Sequence, residues 1–353
     1  MASSIESSEE FAGRMLDVMN SGLLAVLLSI GHRTKLFDTM SGMPWASSHE
    51  IAEAAELDER YVREWLSAMA CGRVVDYDAS TATFRLPEGR AAYLTRAAGP
   101  SNMAAWMTMV GFLAPVEDEI IQCFREGGGL GYDRYPKFAK AMAIQGRAFA
   151  DAALVDGIVP LVEGLRERLE SGIDVCDVGC GAGHAVNVLA RAFPDSRFVG
   201  VDLMDDALLL GRTEATEWGL QNVRFEKQDA AHLEGEFDLM MAIVAIHDQA
   251  HPQRVLDGIW AALRPGGTFL CIDSQASSDL ADNLSDPLGA WRYSVSTLHC
   301  MSVSLSQGGL GLGDCWGPPL AIEMMQAAGF DAVDLVTPEW LDQFHVYSAS
   351  KNR

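Results

Sequence analysis

Positive charge is scarce in this sequence: 26 Lys and Arg stand against 49 Asp and Glu, a formal net charge of -23 over 353 residues. That balance disfavours non-specific attraction to nucleic acid or to an anionic membrane surface. Paired cysteines are also lacking. The seven present are scattered, with no CxxC pair and no Cys/His zinc spacing, so free thiols in a reducing, cytoplasmic setting are expected. The opening MASSIESSEE has no basic stretch, and the longest early apolar run, Gly22 to Ile30, falls short of a bilayer span. Neither a secretory signal nor a membrane span is expected. What is present is a globular mixture, 49% hydrophobic and 21% charged, at a length suited to two domains.

Three regions separate by pattern. From about Phe11 to Arg96 the chain reads as helices followed by a short hairpin. A helical segment over Ser21–Met40 stops at Ser41-Gly42, Ser47 and Glu50 have capping-box spacing, and Asp58 caps a helix that Gly72 ends. Short strands then flank Asp78-Ala79-Ser80, completing a winged-helix pattern over residues 1–96. Residues 97–170 read as a helical linker interrupted by EGGGLGYDRYP. From 171 to 353 strands alternate with helical stretches: IDVCDVGC, SRFVGVD, VRFEKQD, FDLMMAIV and GTFLCID, then FDAVDLVT and DQFHVYSAS around Pro338. This alternation predicts an α/β fold, a mostly parallel sheet with helices on both faces that closes in an antiparallel hairpin.

The chemistry-bearing motif is DVGCGAG, Asp177 to Gly183, which ends a strand and opens a helix. Backbone N–H groups at such a turn face a crevice, and glycines admit a ligand close to the backbone. A nicotinamide-binding fingerprint would carry its third glycine where this chain has His184. The GxGxG spacing instead resembles the cofactor loop of class I S-adenosylmethionine-dependent methyltransferases, a Rossmann-like fold with a seven-stranded sheet. Asp202 and Asp229 end the second and third strands, where that family holds the ribose hydroxyls and the adenine amino group. The resemblance extends to LRPGG, Leu263 to Gly267, before the fifth strand. With the winged helix it covers most of the chain and is similar to small-molecule O-methyltransferases of plants and bacteria. It implies S-adenosylmethionine as cofactor, held by Asp177, Gly179, Cys180, Gly181, Gly183, Asp202, Leu203, Asp229, Ala230 and Val244. It also implies a homodimer through the winged helix.

His247 and Asp248 follow the fourth strand, beside the expected position of the transferable methyl. The matching pair in plant phenol O-methyltransferases implies His247 as general base, with Asp248 orienting the ring or stabilising its charge. Gln249 stands where the plant enzymes carry tryptophan, a departure that weakens the case for a phenolic substrate. Trp106, Met107, Phe112, Trp291 and His299, with Tyr293 and Trp316, are candidates for a cavity that takes a small apolar or aromatic molecule. His299 is a second candidate base. Glycines at 308, 309, 311 and 313 would hinge a lid or form an ordinary loop. No metal is expected, because His247, Asp248 and His251 begin at a strand end and meet Pro252, not one helical face. The competing reading is a winged-helix transcriptional regulator with a cofactor-sensing domain. Residues 1–95 carry 8 Lys/Arg and 14 Asp/Glu, a poor footprint for DNA.

Overall fold

The computed structural model of the chain describes residues 6–341 and 343–352; the first half of the MASSIESSEE segment thus lies outside it. Two compact units emerge, Met1–Pro115 and Val116–Arg353, so the expected linker 97–170 is divided between them.

The first unit opens with a helix over Ser8–Arg33, set by a capping box between Ser7 and Glu10. It ends before Lys35, whose left-handed backbone (φ 64°) starts a separate turn over Leu36–Met40. One helix to Met40 was expected; the break comes earlier because the turn tucks Leu36, Phe37 and Met40 into the core. Among the described residues this first helix alone is long and apolar enough to cross a membrane, by length and composition only. The expected capping box at Ser47 and cap at Asp58 start helices Ser48–Ala55 and Glu59–Cys71. Strands β1 (Asp76–Asp78) and β2 (Thr83–Arg85) pair antiparallel as the wing. Trp65 meets Phe37 edge-on at 5.2 Å and donates its indole N–H to Leu27 O at 2.9 Å, so the core residue also satisfies its polar atom.

The second unit is built on strands β3 (Asp174–Val178), β4 (Arg197–Asp202), β5 (Val223–Lys227), β6 (Phe237–Ile243), β7 (Leu263–Ser274), β8 (Val333–Val336) and β9 (Phe344–Ser350). They lie in the order β5-β4-β3-β6-β7-β9-β8, parallel except for β9. All seven strands expected from the sequence form. Apolar side chains pack on both faces of the sheet, with Ile259 and Met325 in one core and Leu154 and Leu189 in the other. The chain runs outward from β3 through β5, then crosses back to β6 beside β3. That reversal opens a crevice at the C-terminal ends of β3 and β6, the usual ligand position in an open α/β sheet.

Candidate active site

β3 delivers the glycine loop to this crevice. Gly179 and Cys180 donate backbone N–H groups to Val201 O of β4 at 2.9 and 3.0 Å. The chain then turns through Gly181 and Gly183, both at positive φ, into helix His184–Ala192. A Cβ on Gly183 would collide with the Phe225 ring, whereas one on Gly181 would point into open space. Gly183 is therefore required by packing, and Gly181 borders room for a ligand. His184, at the position a nicotinamide fingerprint gives to glycine, is buried, with Nδ1 2.8 Å from Glu214 Oε2 and Nε2 3.1 Å from Asp151 Oδ1. Its ring ties the loop helix to the neighbouring helix Asp205–Glu217, a constraint the sequence pattern did not reveal.

The acidic strand ends gather here. Asp177 is buried, and its Oδ1 has no hydrogen-bond partner in the described structure. Burial, with the Asp202 charge second, pushes its carboxyl up to about 8. Asp202 accepts from Gly181 N through Oδ2 and from Met204 N through Oδ1, both at 2.9 Å. Each carboxylate oxygen has a second lone pair to offer. Asp229 is exposed and accepts from Ala231 N at 3.0 Å. Leu203 is exposed and Ala230 buried. Val244, after β6, has φ 51°, a strained conformation for a β-branched residue, held by its N–H donating to Ile272 O at 2.7 Å.

Four residues after β6, His247 is 1% exposed. Its Nδ1 lies 2.6 Å from Asp273 Oδ1 at the end of β7, and its Nε2 lies 3.3 Å from Asp248 Oδ1 and 4.0 Å from Asp314 Oδ1. The partner that fixes the ring is thus Asp273, while Asp248 lies on the opposite nitrogen. The ring turns its Nδ1 back toward the sheet, where the next residue in the chain does not reach. Burial alone would lower the His247 pKa, but the Asp273 and Asp248 carboxylates together hold it well above the ordinary histidine value. Cys300 completes the cluster: its thiol, a His247 ring nitrogen and an Asp248 oxygen all lie within 4.8 Å of one another.

His299 is buried beside Tyr135, ring centroids 4.8 Å apart, and burial lowers its pKa. The charges of Asp248 and His247 act on it, so the structure brings both candidate bases together. Trp291 is half-buried on helix Gly289–Val295. Trp316 belongs to the core below the sheet, a correction to its expected place in a cavity. Trp106, Met107 and Phe112 lie half-buried in the first unit, where Arg33 sits over the Phe112 ring at 5.4 Å. The glycine-rich segment is fastened to the β6 loop: Leu310 N donates to Ala250 O at 3.0 Å and Ser304 Oγ to Gln249 O at 2.9 Å. It carries Asp314 to the His247 cluster.

An Rv2258c-like winged HTH domain matches residues 22–96 and a methyltransferase domain matches residues 169–318. Among curated relatives, a trans-aconitate 2-methyltransferase of Deinococcus radiodurans is 36% identical over 109 residues, 31% of this chain and 40% of that protein. A fatty-acid O-methyltransferase of Mycolicibacterium smegmatis is 31% identical over 111 residues, again 31% and 40%. The chain thus spans less than half the length of either relative. Among solved structures, the mitomycin 7-O-methyltransferase has a TM-score of 0.69 at 16% identity, with 96% of this chain and 97% of that chain covered. Human N-acetylserotonin methyltransferase, in complex with SAM, has a TM-score of 0.67 at 17% identity and covers 100% of both chains. At these identities the likeness speaks for the fold. The two matched domains, the sheet order and the glycine loop make the chain a member of the class I S-adenosylmethionine-dependent methyltransferases that carry an N-terminal winged helix.

Proposed function

We propose that the protein transfers a methyl group from S-adenosylmethionine to an oxygen of a small apolar or aromatic molecule, with His247 as general base. The observation that carries this reading is the buried His247–Asp273 pair at the ends of β6 and β7, beside the glycine loop of β3. Bound S-adenosylmethionine supplies a methyl already activated by its sulfonium charge. The residues fit such a group: Gly181 leaves room at the backbone, Asp177 Oδ1 awaits a donor, and Asp202 and Asp229 offer carboxylate oxygens to hydroxyl and amino donors.

His247 takes the acceptor proton at Nε2 while Asp273 fixes the ring through Nδ1 and, with Asp248, stabilises the charge that results. Its raised pKa brings it closer to that of a hydroxyl and makes proton transfer less uphill, at the cost of a smaller neutral fraction at pH 7. Trp291 and His299 are assigned to the acceptor side. The names of the two curated relatives include acids, and a carboxylate acceptor would need no base. Labelled S-adenosylmethionine incubated with phenols, alcohols and carboxylic acids separates these classes. Labelled ether products support the reading; labelled esters alone, formed equally well without His247, overturn it.

For the winged helix we favour a homodimer in a reducing cytoplasm over DNA recognition. Phe11, Leu16, Val18, Met19 and Leu23 are exposed on the first helix, an apolar surface suited to a second copy. On helix Glu59–Cys71, Arg60 pairs with Glu64 and Arg63 with Glu59, leaving little charge for phosphates. Light scattering tests this; a monomer, or tight salt-dependent binding to a DNA site, contradicts it.

A further inference from the structure

We propose that His247, Asp248 and Cys300 bind a soft divalent cation of the zinc class, and that its binding shuts off the base assigned above. The binding half stands on geometry; the regulatory half rests on the proposed function. One donor atom from each residue lies within 4.8 Å of the others, and His247 and Cys300 are buried. His247 Nε2 and Asp248 Oδ1 are 3.3 Å apart, close to the edge of a tetrahedron whose metal bonds are about 2.0–2.1 Å. Asp273 holds Nδ1 at 2.6 Å, which aims Nε2 at the cation as carboxylates do behind metal-bound histidines.

Charge favours a cation here. Three carboxylates, Asp248, Asp273 and Asp314, surround one imidazole. Buried oxygens of Asp248 and of the wholly buried Asp273 have no hydrogen-bond partner in the described structure. A thiolate with imidazole selects zinc or cobalt over magnesium or calcium. Three protein donors leave one tetrahedral position for water. On binding, the Cys300 thiol proton and any proton on Nε2 pass to solvent, and the Nε2 lone pair is no longer free to accept one from a substrate. Cys300 lies far along the chain from His247, so no sequence spacing signals the set.

Metal-free full-length protein titrated with Co²⁺, followed by absorption, tests the site. One equivalent should produce thiolate-to-cobalt charge transfer in the near ultraviolet, with tetrahedral bands in the visible, and Zn²⁺ should displace both. Cys300→Ser should lose the near-ultraviolet band, and Asp248→Asn should weaken binding by about tenfold or more. Circular dichroism of each variant separates loss of the site from loss of the fold. No near-ultraviolet band in the wild type, or a band that survives Cys300→Ser, overturns the site. Zinc should also lower methyl transfer by about tenfold or more, approaching the rate of His247→Ala, and chelation should restore it. An unchanged rate in zinc-loaded protein overturns the switch. Should no methyl transfer be found at all, the functional reading fails while the absorption still decides the site.

Discussion

The two sides of the crevice are assembled in different ways. The cofactor side comes from one unbroken loop, Asp177 to Gly183, with Asp202 and Asp229 at the ends of the next strands in chain order. The acceptor side takes His247 from the β6 loop, Asp273 from the end of β7, Cys300 from a helix and Asp314 from the glycine-rich segment. A side built locally announces itself by spacing. A side built from distant segments shows only after folding has brought its charges together, and there burial and mutual charge shape the chemistry. The two sides also divide the labour: changes on one side should alter binding, and changes on the other should alter turnover.

The largest expected effect tests that division. His247→Ala should lower turnover by roughly 10²–10⁴-fold while leaving affinity for S-adenosylhomocysteine unchanged; stopped activity with equally lost affinity would erase the distinction. On the other side, Asp202→Ala should weaken cofactor binding by about 1–3 kcal/mol, and Gly181→Val should block it outright by filling open space beside the backbone. Both are read by calorimetry, with the fold checked by thermal melting.

A smaller effect sharpens the acceptor side. His247→Gln can still hydrogen-bond but cannot take a proton, so its loss of turnover isolates proton transfer from positioning. Asp273→Asn removes the largest charge raising the His247 pKa. The rise of rate with pH should therefore begin at lower pH, with turnover reduced by about tenfold to a hundredfold as the ring loses its anchor. An unmoved pH profile would show that Asp273 does not govern the base.

The smallest effect concerns Asp177. Its carboxyl is raised from 3.8 to about 8, so the folded protein keeps a proton that the unfolded chain has released. Its contribution to stability is complete below about pH 4 and is lost as pH rises toward about 8. His247, also raised, acts in the same direction above its ordinary value near 6.5. Asp177→Asn cannot ionise, so between pH 5 and pH 9 its Tm should fall less than that of the wild type, by about 2–4 °C for each kcal/mol of this linkage. Parallel curves would contradict the assignment.

The strand alternation made the seven-stranded sheet legible, and two caps in the first unit, Ser47 and Asp58, were legible too. The capping box at Ser7 and the break at Lys35 were not, since the first lies outside the apolar run and the second depends on the packing of Phe37. Asp273 was hidden inside GTFLCID, a run that reads as plain core strand. One signal was available: an acid at the end of a buried strand is costly unless paired, and Asp177 and Asp202 mark the ends of two earlier strands. Which partner would pair with it depended on the fold.

Calorimetric titration of the wild-type protein, Asp202→Ala and His247→Ala with S-adenosylhomocysteine, beside NADH as control, tests cofactor identity and the division between the two sides together. S-adenosylhomocysteine should bind the wild type, bind Asp202→Ala more weakly by about 1–3 kcal/mol and bind His247→Ala undiminished, with no heat from NADH. A wild-type protein that binds NADH and ignores S-adenosylhomocysteine would contradict it.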